Sequence, residues 1–505
     1  MSEPDPCYCY LLNGTNLASG HMEVGHIDHP GTTTQCFASV VIFAKHLLSS
    51  SHLPILQDVI SNPESYLYTC SIALILLLVS INYLTGSYVF KRTGNIGLSI
   101  LFQMTPLINT NIIQRGIMLE PESAIIIVAT FFMAYLFLNA PENNMQADKP
   151  LTNKTIILFG VFSSFLIATK YTCAPVICLV LFILQKTKNR FIYLGATILS
   201  FLTFIIPALP KIKNMFQWVW GLATHDGIYG TGEERLINSS QFFHNFKGIL
   251  LTDAVFTSIY SIITLTFIVA IINRIIKKQT VPFFRTICGL WLSITLLILA
   301  VAKHTEFHYL IFAECCFPLG MAVSYKILSN SFVPFVESYR KYEKRILYSF
   351  LSIFSVFLVI EKVRYIPLHY PKNLGINKYI DNHKTTSLII SCKSGLACER
   401  KEPALYLGYM YAGNIQDEYA RALDTLYPNT YIYWNGSQTL THWNETLPIA
   451  DFLNKNKSVL IYLKGYDDTA QVNIIHKFSS GNAVQKSELF KDSETLQSVC
   501  LIKTQ

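Results

Sequence analysis

Ten apolar runs of bilayer-spanning length, or close to it, recur between Tyr68 and Ile360. No water-soluble core absorbs so many, because each needs a low-dielectric surround along about 20 residues. They lie near Tyr68–Phe90, Gly94–Ile113, Ser123–Ala140, Thr155–Thr169, Tyr171–Gln185, Phe191–Leu209, Gly248–Ile272, Pro282–Ala302, Phe307–Ile327 and Ile346–Ile360. Thr34–Leu48 is shorter and amphipathic, which predicts an interfacial helix. Charged residues make up 14% of the chain, against about 25% in soluble domains. We therefore expect an α-helical polytopic membrane protein with about 10–11 spans. No basic stripe interleaved with aromatics occurs, so nothing here reads as nucleic-acid binding.

Composition changes near Pro367. Apolar runs shrink to strand length in SLIIS, TYIYW, VLIYLKG and SVCLIKT, while EYARALDTLY and IADFLNKN have helical patterning. The expected division is 1–67 as a first external loop with interfacial helices, 68–362 as the transmembrane helical domain, and 363–505 as a small α/β extracytoplasmic domain. No catalytic constellation stands out in that last part. Cys392 and Cys398 of SCKSGLACER suit a disulfide if the region is extracytoplasmic; two free thiols are the alternative. Most other cysteines sit in apolar runs and act as small hydrophobes. Asn-x-Ser/Thr sequons at Asn13, Asn153, Asn238, Asn435 and Asn444 are short enough to arise by chance.

Lysine and arginine set the orientation. Taken alternately, the loops around residues 91–92, 149–154, 186–190, 274–285 and 340–345 are rich in basic residues; the intervening loops are poor in them. The first set is cytoplasmic by the positive-inside rule. The unusual polar residues then share the opposite, external face, which suggests one site there.

Several motifs carry those residues. SEPDPCYCYLLNG offers Glu3 and Asp5, either a general base near a hydroxyl or a solvated terminus. GHIDHPG gathers His26, Asp28 and His29. These are types that ligate a divalent metal, though a closed site usually draws on more than one segment. Its His-Pro-Gly end reads as a turn, with Pro30 fixing φ and Gly31 permitting a sharp bend. IIQRGIMLEPES sets Arg115, Glu120 and Glu122 around a helix start, with Pro121 in its first turn and Glu122 near its positive end. Capping alone explains these acids; a phosphate clamp with an orienting carboxylate is the functional alternative.

ATKYT holds Lys170 between apolar runs, where a cation is either functional or snorkelling to the interface. WGLATHDGIYGTGEE carries His225 and Tyr229 in a Gly-rich loop suited to sugar rings, or to a plain connector. VAKHTEFHYLIF brings Lys303, His304 and His308 to the head of a span, as a phosphate clamp or an interfacial anchor belt.

In this order the motifs resemble the GT-C superfamily of polytopic glycosyltransferases. The branch is that of the protein O-mannosyltransferases, the lipid A aminoarabinose transferase and related lipopolysaccharide sugar transferases. The resemblance runs over Met1 to Ile327. No single motif is specific; the ordered set is moderately so. It implies a polyprenyl-phosphate-linked sugar as donor and a lipid or glycan acceptor. Asp5 would be the base, with Glu3 in reserve. Arg115, Lys170, Lys303, His304 and His308 would lie at the donor phosphate. His26, Asp28, His29, Glu120, Glu122, His225 and Tyr229 would form the rim.

The resemblance also implies a bacterial inner (cell) membrane, with the active site on its extracytoplasmic face. It requires no certain cofactor; a divalent metal remains an option. The family pattern has a span ahead of the acidic loop, whereas this chain starts inside that loop without a signal peptide. We therefore expect an upstream span in the native protein. The rival classes are a multi-spanning secondary transporter, a polysaccharide ligase or polymerase, and a non-catalytic membrane scaffold. A transporter would tend to show paired halves with broken midplane helices. No internal repeat is evident here.

Overall fold

The computed structural model describes residues 4–28, 30–108, 110–142, 151–226, 232–235, 237–303, 306–331, 374–383, 386–393, 400–456, 458–479, 484–492 and 497–504. The chain divides into two compact units. One contains Met1–His26, Ala38–Thr69 and Arg364–Gln505; the other contains Ile27–Phe37 and Cys70–Val363. The contacts thus interleave the segments that the sequence divides in series.

The second unit is helical. Its helices start where local chemistry satisfies their first amides. Thr152 Oγ1 accepts from Thr155 N at the head of Asn153–Thr169. Asp253 Oδ1 accepts from Val255 N and Phe256 N at 2.8 and 2.9 Å, opening Ala254–Ile271. Pro121 begins Pro121–Asn139, where its missing N–H costs nothing. An apolar core runs through these helices, with Phe132, Phe159, Leu290 and Phe317 buried. Gly160 lets Asn153–Thr169 approach Thr187–Phe204, since a Cβ there would stand 2.8 Å from the Ala196 Cβ.

Among the described residues, four helices are long and apolar enough to span a membrane, or up to six if two bent pairs each count as one. That is fewer than the ten predicted runs. The run at Ile346–Ile360 lies outside the described residues. The run Thr155–Thr169 is present as the shorter apolar helix Asn153–Thr169, and the other runs missing from that count are broken or bent in ways that hydropathy does not register. Gly94–Ile113 becomes Ile96–Gln103, a turn at Thr105–Leu107, and Thr110–Arg115. Tyr171–Gln185 begins with a 3₁₀ turn and leaves the eight-residue helix Val176–Ile183. Thr187–Phe204 and Ile206–Thr224 meet at 81° beside Pro207 and Pro210.

The apolar helices differ in cover. The most apolar window of Pro121–Asn139 is 78% buried, that of Pro63–Thr93 only 17%. Pro63–Thr93 leaves Ile72, Leu76, Val79 and Tyr83 exposed. Surface of this kind is compatible with a lipid bilayer covering it. The predicted interfacial segment is the helix Thr32–Leu48, whose Val40, Phe43 and Leu47 stand exposed.

In the first unit, strands β1 (Ser387–Cys392), β2 (Thr430–Tyr433), β3 (Thr439–His442), β4 (Glu445–Pro448), β5 (Ser458–Lys464), β6 (Val484–Asp492) and β7 (Gln497–Thr504) form one sheet. Its order is β4-β3-β2-β1-β5-β7-β6. The centre β2-β1-β5 is parallel and both flanks are antiparallel. Alternation along the strands makes two apolar faces. Ile389, Ile461 and Ile502 pack on one; Leu388, Ile390, Leu460 and Tyr462 pack on the other. Each strand and helix predicted after Pro367 is present, including Gln416–Leu426 and Ile449–Lys455. Cys398 lies outside the described residues.

The helix Pro4–Ala18 belongs to this unit. Asn13 is buried in it, donating to Cys9 O and Tyr411 O and accepting from Gly25 N. A glycan on this sequon has no room.

Candidate functional site

Five of the residues singled out in the sequence converge in the helical unit. They occupy helix ends and the turns beside them, where backbone groups are free to be polar. Glu120 is the N-cap of Pro121–Asn139, and its carbonyl accepts from Ser123 Oγ at 2.7 Å. Its carboxylate is fully buried and takes a hydrogen bond from Arg115 Nη1 at 2.7 Å. Glu122 is in the first turn of the same helix, where the positive end of the dipole favours it.

Lys170 is the C-cap of Asn153–Thr169, the end of a helix at which the dipole favours a cation. Lys170 Nζ donates to Glu122 Oε1, and both side chains are almost wholly buried. The same ammonium sits 4.2 Å above the Tyr309 ring. His308 completes the group: its Nε2 is 3.9 Å from Glu122 Oε1 and its Nδ1 is 3.8 Å from Glu306 Oε2. Two buried carboxylates are thus matched by Lys170 and Arg115, with an imidazole alongside. Tyr309 is the one member whose part as a ring under a cation sequence reasoning did not anticipate; the signal was its place directly after His308.

The other predicted residues are distributed differently. Lys303 donates from Nζ to Leu222 O and Ala223 O, both at 2.7 Å, and so caps the helix Ile212–Thr224. His225 Nδ1 lies 3.0 Å from Thr224 Oγ1, and its backbone pairs with Glu234. His26 belongs to the other unit, edge-on between Tyr10 and Tyr411 at 5.1 and 5.0 Å. Glu3, His29, Tyr229 and His304 lie outside the described residues, as does the side chain of Asp5. Among the described residues, no three His, Cys, Asp or Glu side chains gather as a metal site requires. In the turn itself, Gly31 takes the left-handed step at φ +62°. Pro30, at φ +21°, departs from the value its ring favours.

Asp28 lies in the helical unit, close enough to Tyr171 to act on it electrostatically. Nearby, Thr33 Oγ1 and Thr169 Oγ1 are 2.6 Å apart. Burial pushes the Asp28 carboxyl up to about 6 from an ordinary 3.8. The folded state therefore holds this proton between about pH 4 and pH 6 while the unfolded chain has released it. Stability falls across that window and stays lower above it. Asp28→Asn is expected to flatten the slope and to stabilise the protein at pH 7 by about 1–2 kcal/mol. Thermal unfolding at pH 4.5 and pH 7 checks this; an unchanged pH slope would contradict it.

No family model matches this chain, and neither does any curated protein or solved structure. Fold and site together define a mostly helical chain with four to six apolar, span-like helices and a C-terminal sheet.

Proposed function

We propose that the protein is a membrane glycosyltransferase. It moves a sugar from a polyprenyl-phosphate-linked donor to a lipid or glycan acceptor on the extracytoplasmic face of a bacterial inner membrane. The observation that carries this reading is the convergence of Arg115, Glu120, Glu122, Lys170 and His308 at neighbouring helix ends. Such a group suits an anionic leaving group. Arg115 offers a planar fork for phosphate oxygens, and Lys170 holds a fixed positive charge close by. Glu120 and Glu122 keep these cations in place before the donor arrives.

The reaction is a single displacement. A carboxylate, the part that the resemblance gives to Asp5, takes the proton of an acceptor hydroxyl, and the acceptor oxygen bonds to the anomeric carbon. The bond from that carbon to the phosphate oxygen breaks, and its electron pair leaves with polyprenyl phosphate. One inversion at the anomeric carbon follows. The deciding experiment follows radiolabelled sugar from a polyprenyl-phosphate donor into an added lipid or glycan acceptor, with purified protein in nanodiscs. Label in the acceptor supports the proposal; no transfer from any of a set of pentose and hexose donors removes it.

The buried Lys170–Glu122 pair favours a second reading, a secondary transporter, because paired charges among apolar helices also mark ion and substrate paths. Counterflow of labelled solute in proteoliposomes, without any glycosyl product, would favour that alternative.

A further inference from the structure

The unit that carries the sheet contains a cavity of about 570 Å³. This lies within the size range of small-molecule sites. The cavity sits where β1 and β2 begin: Thr386 immediately precedes β1, and Asn429 immediately precedes β2. Its two walls differ. One is aliphatic, built on Leu388 and Leu460, register partners on adjacent parallel strands. The charged lining comes from Arg400, Lys401 and Glu402 at the start of the helix Lys401–Met410, together with Glu64.

The charged wall is held in place before any ligand arrives. Arg400 donates to both oxygens of the buried Glu402, at 3.0 and 2.6 Å. Lys401 Nζ stands 5.3 Å from the centre of the Tyr427 ring, and the Tyr427 hydroxyl donates to Ile60 O at 3.1 Å. His383 Nδ1 faces Tyr379 O at 2.8 Å. A carbonyl only accepts, so this nitrogen carries the proton, and Nε2 of the neutral ring is an acceptor.

We infer that this cavity binds carbohydrate, a short uncharged glycan. Three observations select that class. The lining pairs two cations, Arg400 and Lys401, with two carboxylates, Glu64 and Glu402. A phosphate or nucleotide would meet the carboxylates, and an organic cation would meet the guanidinium and ammonium. A sugar hydroxyl both donates and accepts, so it uses both signs at once. The aliphatic wall of Leu388 and Leu460 matches the C–H face of a pyranose. Among the described lining residues there is no glycine of the kind that lets backbone amides cradle a phosphate. That the bound glycan is the acceptor rests on the transfer reading above; that it binds rests on the cavity.

Saturation-transfer NMR on the full chain in nanodiscs tests the inference, with chitotriose, maltotriose and mannotriose as probes and pyrophosphate as the anionic control. At least one trisaccharide should show transfer to its ring C–H protons. Glu64→Gln and Lys401→Ala, both at positions that reach solvent, should each weaken its binding tenfold or more with the melting temperature unchanged. Thr386→Trp should obstruct the cavity and abolish binding. The inference is overturned by silence from all three sugars, by affinities that these variants leave alone, or by pyrophosphate displacing the sugars in a Lys401-dependent way. Sugar binding without any glycosyl transfer upholds the site and removes the enzymatic reading. Transfer without trisaccharide binding removes the site alone.

Discussion

Replacing Lys170 with methionine is expected to destabilise the protein by about 3–5 kcal/mol, the usual cost of stranding one member of a buried ion pair. Glu122 is 2% exposed, and its carboxylate receives the Lys170 ammonium directly. Methionine keeps an apolar stem that reaches as far as the lysine Cε but leaves the carboxylate facing a ring and a histidine 3.9 Å away. The double variant K170M/E122Q is expected to recover most of the loss, because removing both charges also removes the desolvation that each imposes. Thermal unfolding in detergent, run as a double-mutant cycle, reads the coupling. If K170M alone melts within a degree or two of the parent, the pair is not the buried lock that its geometry implies. The recovered double variant then separates stability from function: a stable K170M/E122Q that has lost transfer would tie the charges to the donor phosphate.

The second large effect concerns Asp5. Asp5→Asn is expected to reduce glycosyl transfer by about 10²–10⁴-fold, the typical worth of a positioned general base. Glu3→Gln should cost much less. Asp5 stands near the start of the helix Pro4–Ala18. A negative charge there also stabilises a helix by about 0.3–1 kcal/mol through the dipole. Asparagine forfeits that small term, so the melting temperature should barely move while kcat collapses. Transfer at the parent's rate in Asp5→Asn would sink the assignment of the base and leave the cation cluster to be explained without it.

The sequence and the structure agree best where the deciding forces are local. The strands after Pro367 were legible because short apolar runs of strand length, four to eight residues between polar breaks, are a local signal. Pro121 and Glu122 announced a helix start for the same reason. Among the described residues, hydropathy marks more runs than there are long apolar helices, because it averages over about 20 residues. It therefore passes over the break at Thr105–Leu107 and the bend beside Pro207.

The site was legible in part. Each of Arg115, Glu120, Glu122, Lys170 and His308 is conspicuous as a polar residue bordering an apolar run. Which partner each takes was not. Lys303 belongs to the same visible class, yet it caps Leu222 and Ala223 instead of joining the cluster. The carbohydrate cavity left no trace in the sequence beyond the charged run ERKE near residue 400, since its walls come from positions as far apart as Glu64 and Leu460.

By itself the sequence determined the apolar character of the helices, the strand content of the C-terminal sheet and the residue types able to handle a phosphate. Composition and short-range periodicity are properties of the chain before it folds. Only the tertiary structure decided that Lys170 meets Glu122 across 48 residues, that Lys303 is engaged in capping, and that a charge-balanced cavity opens beside β1. Pairings of this kind depend on which helix ends and strand ends are brought together, and that is settled by packing of the whole chain.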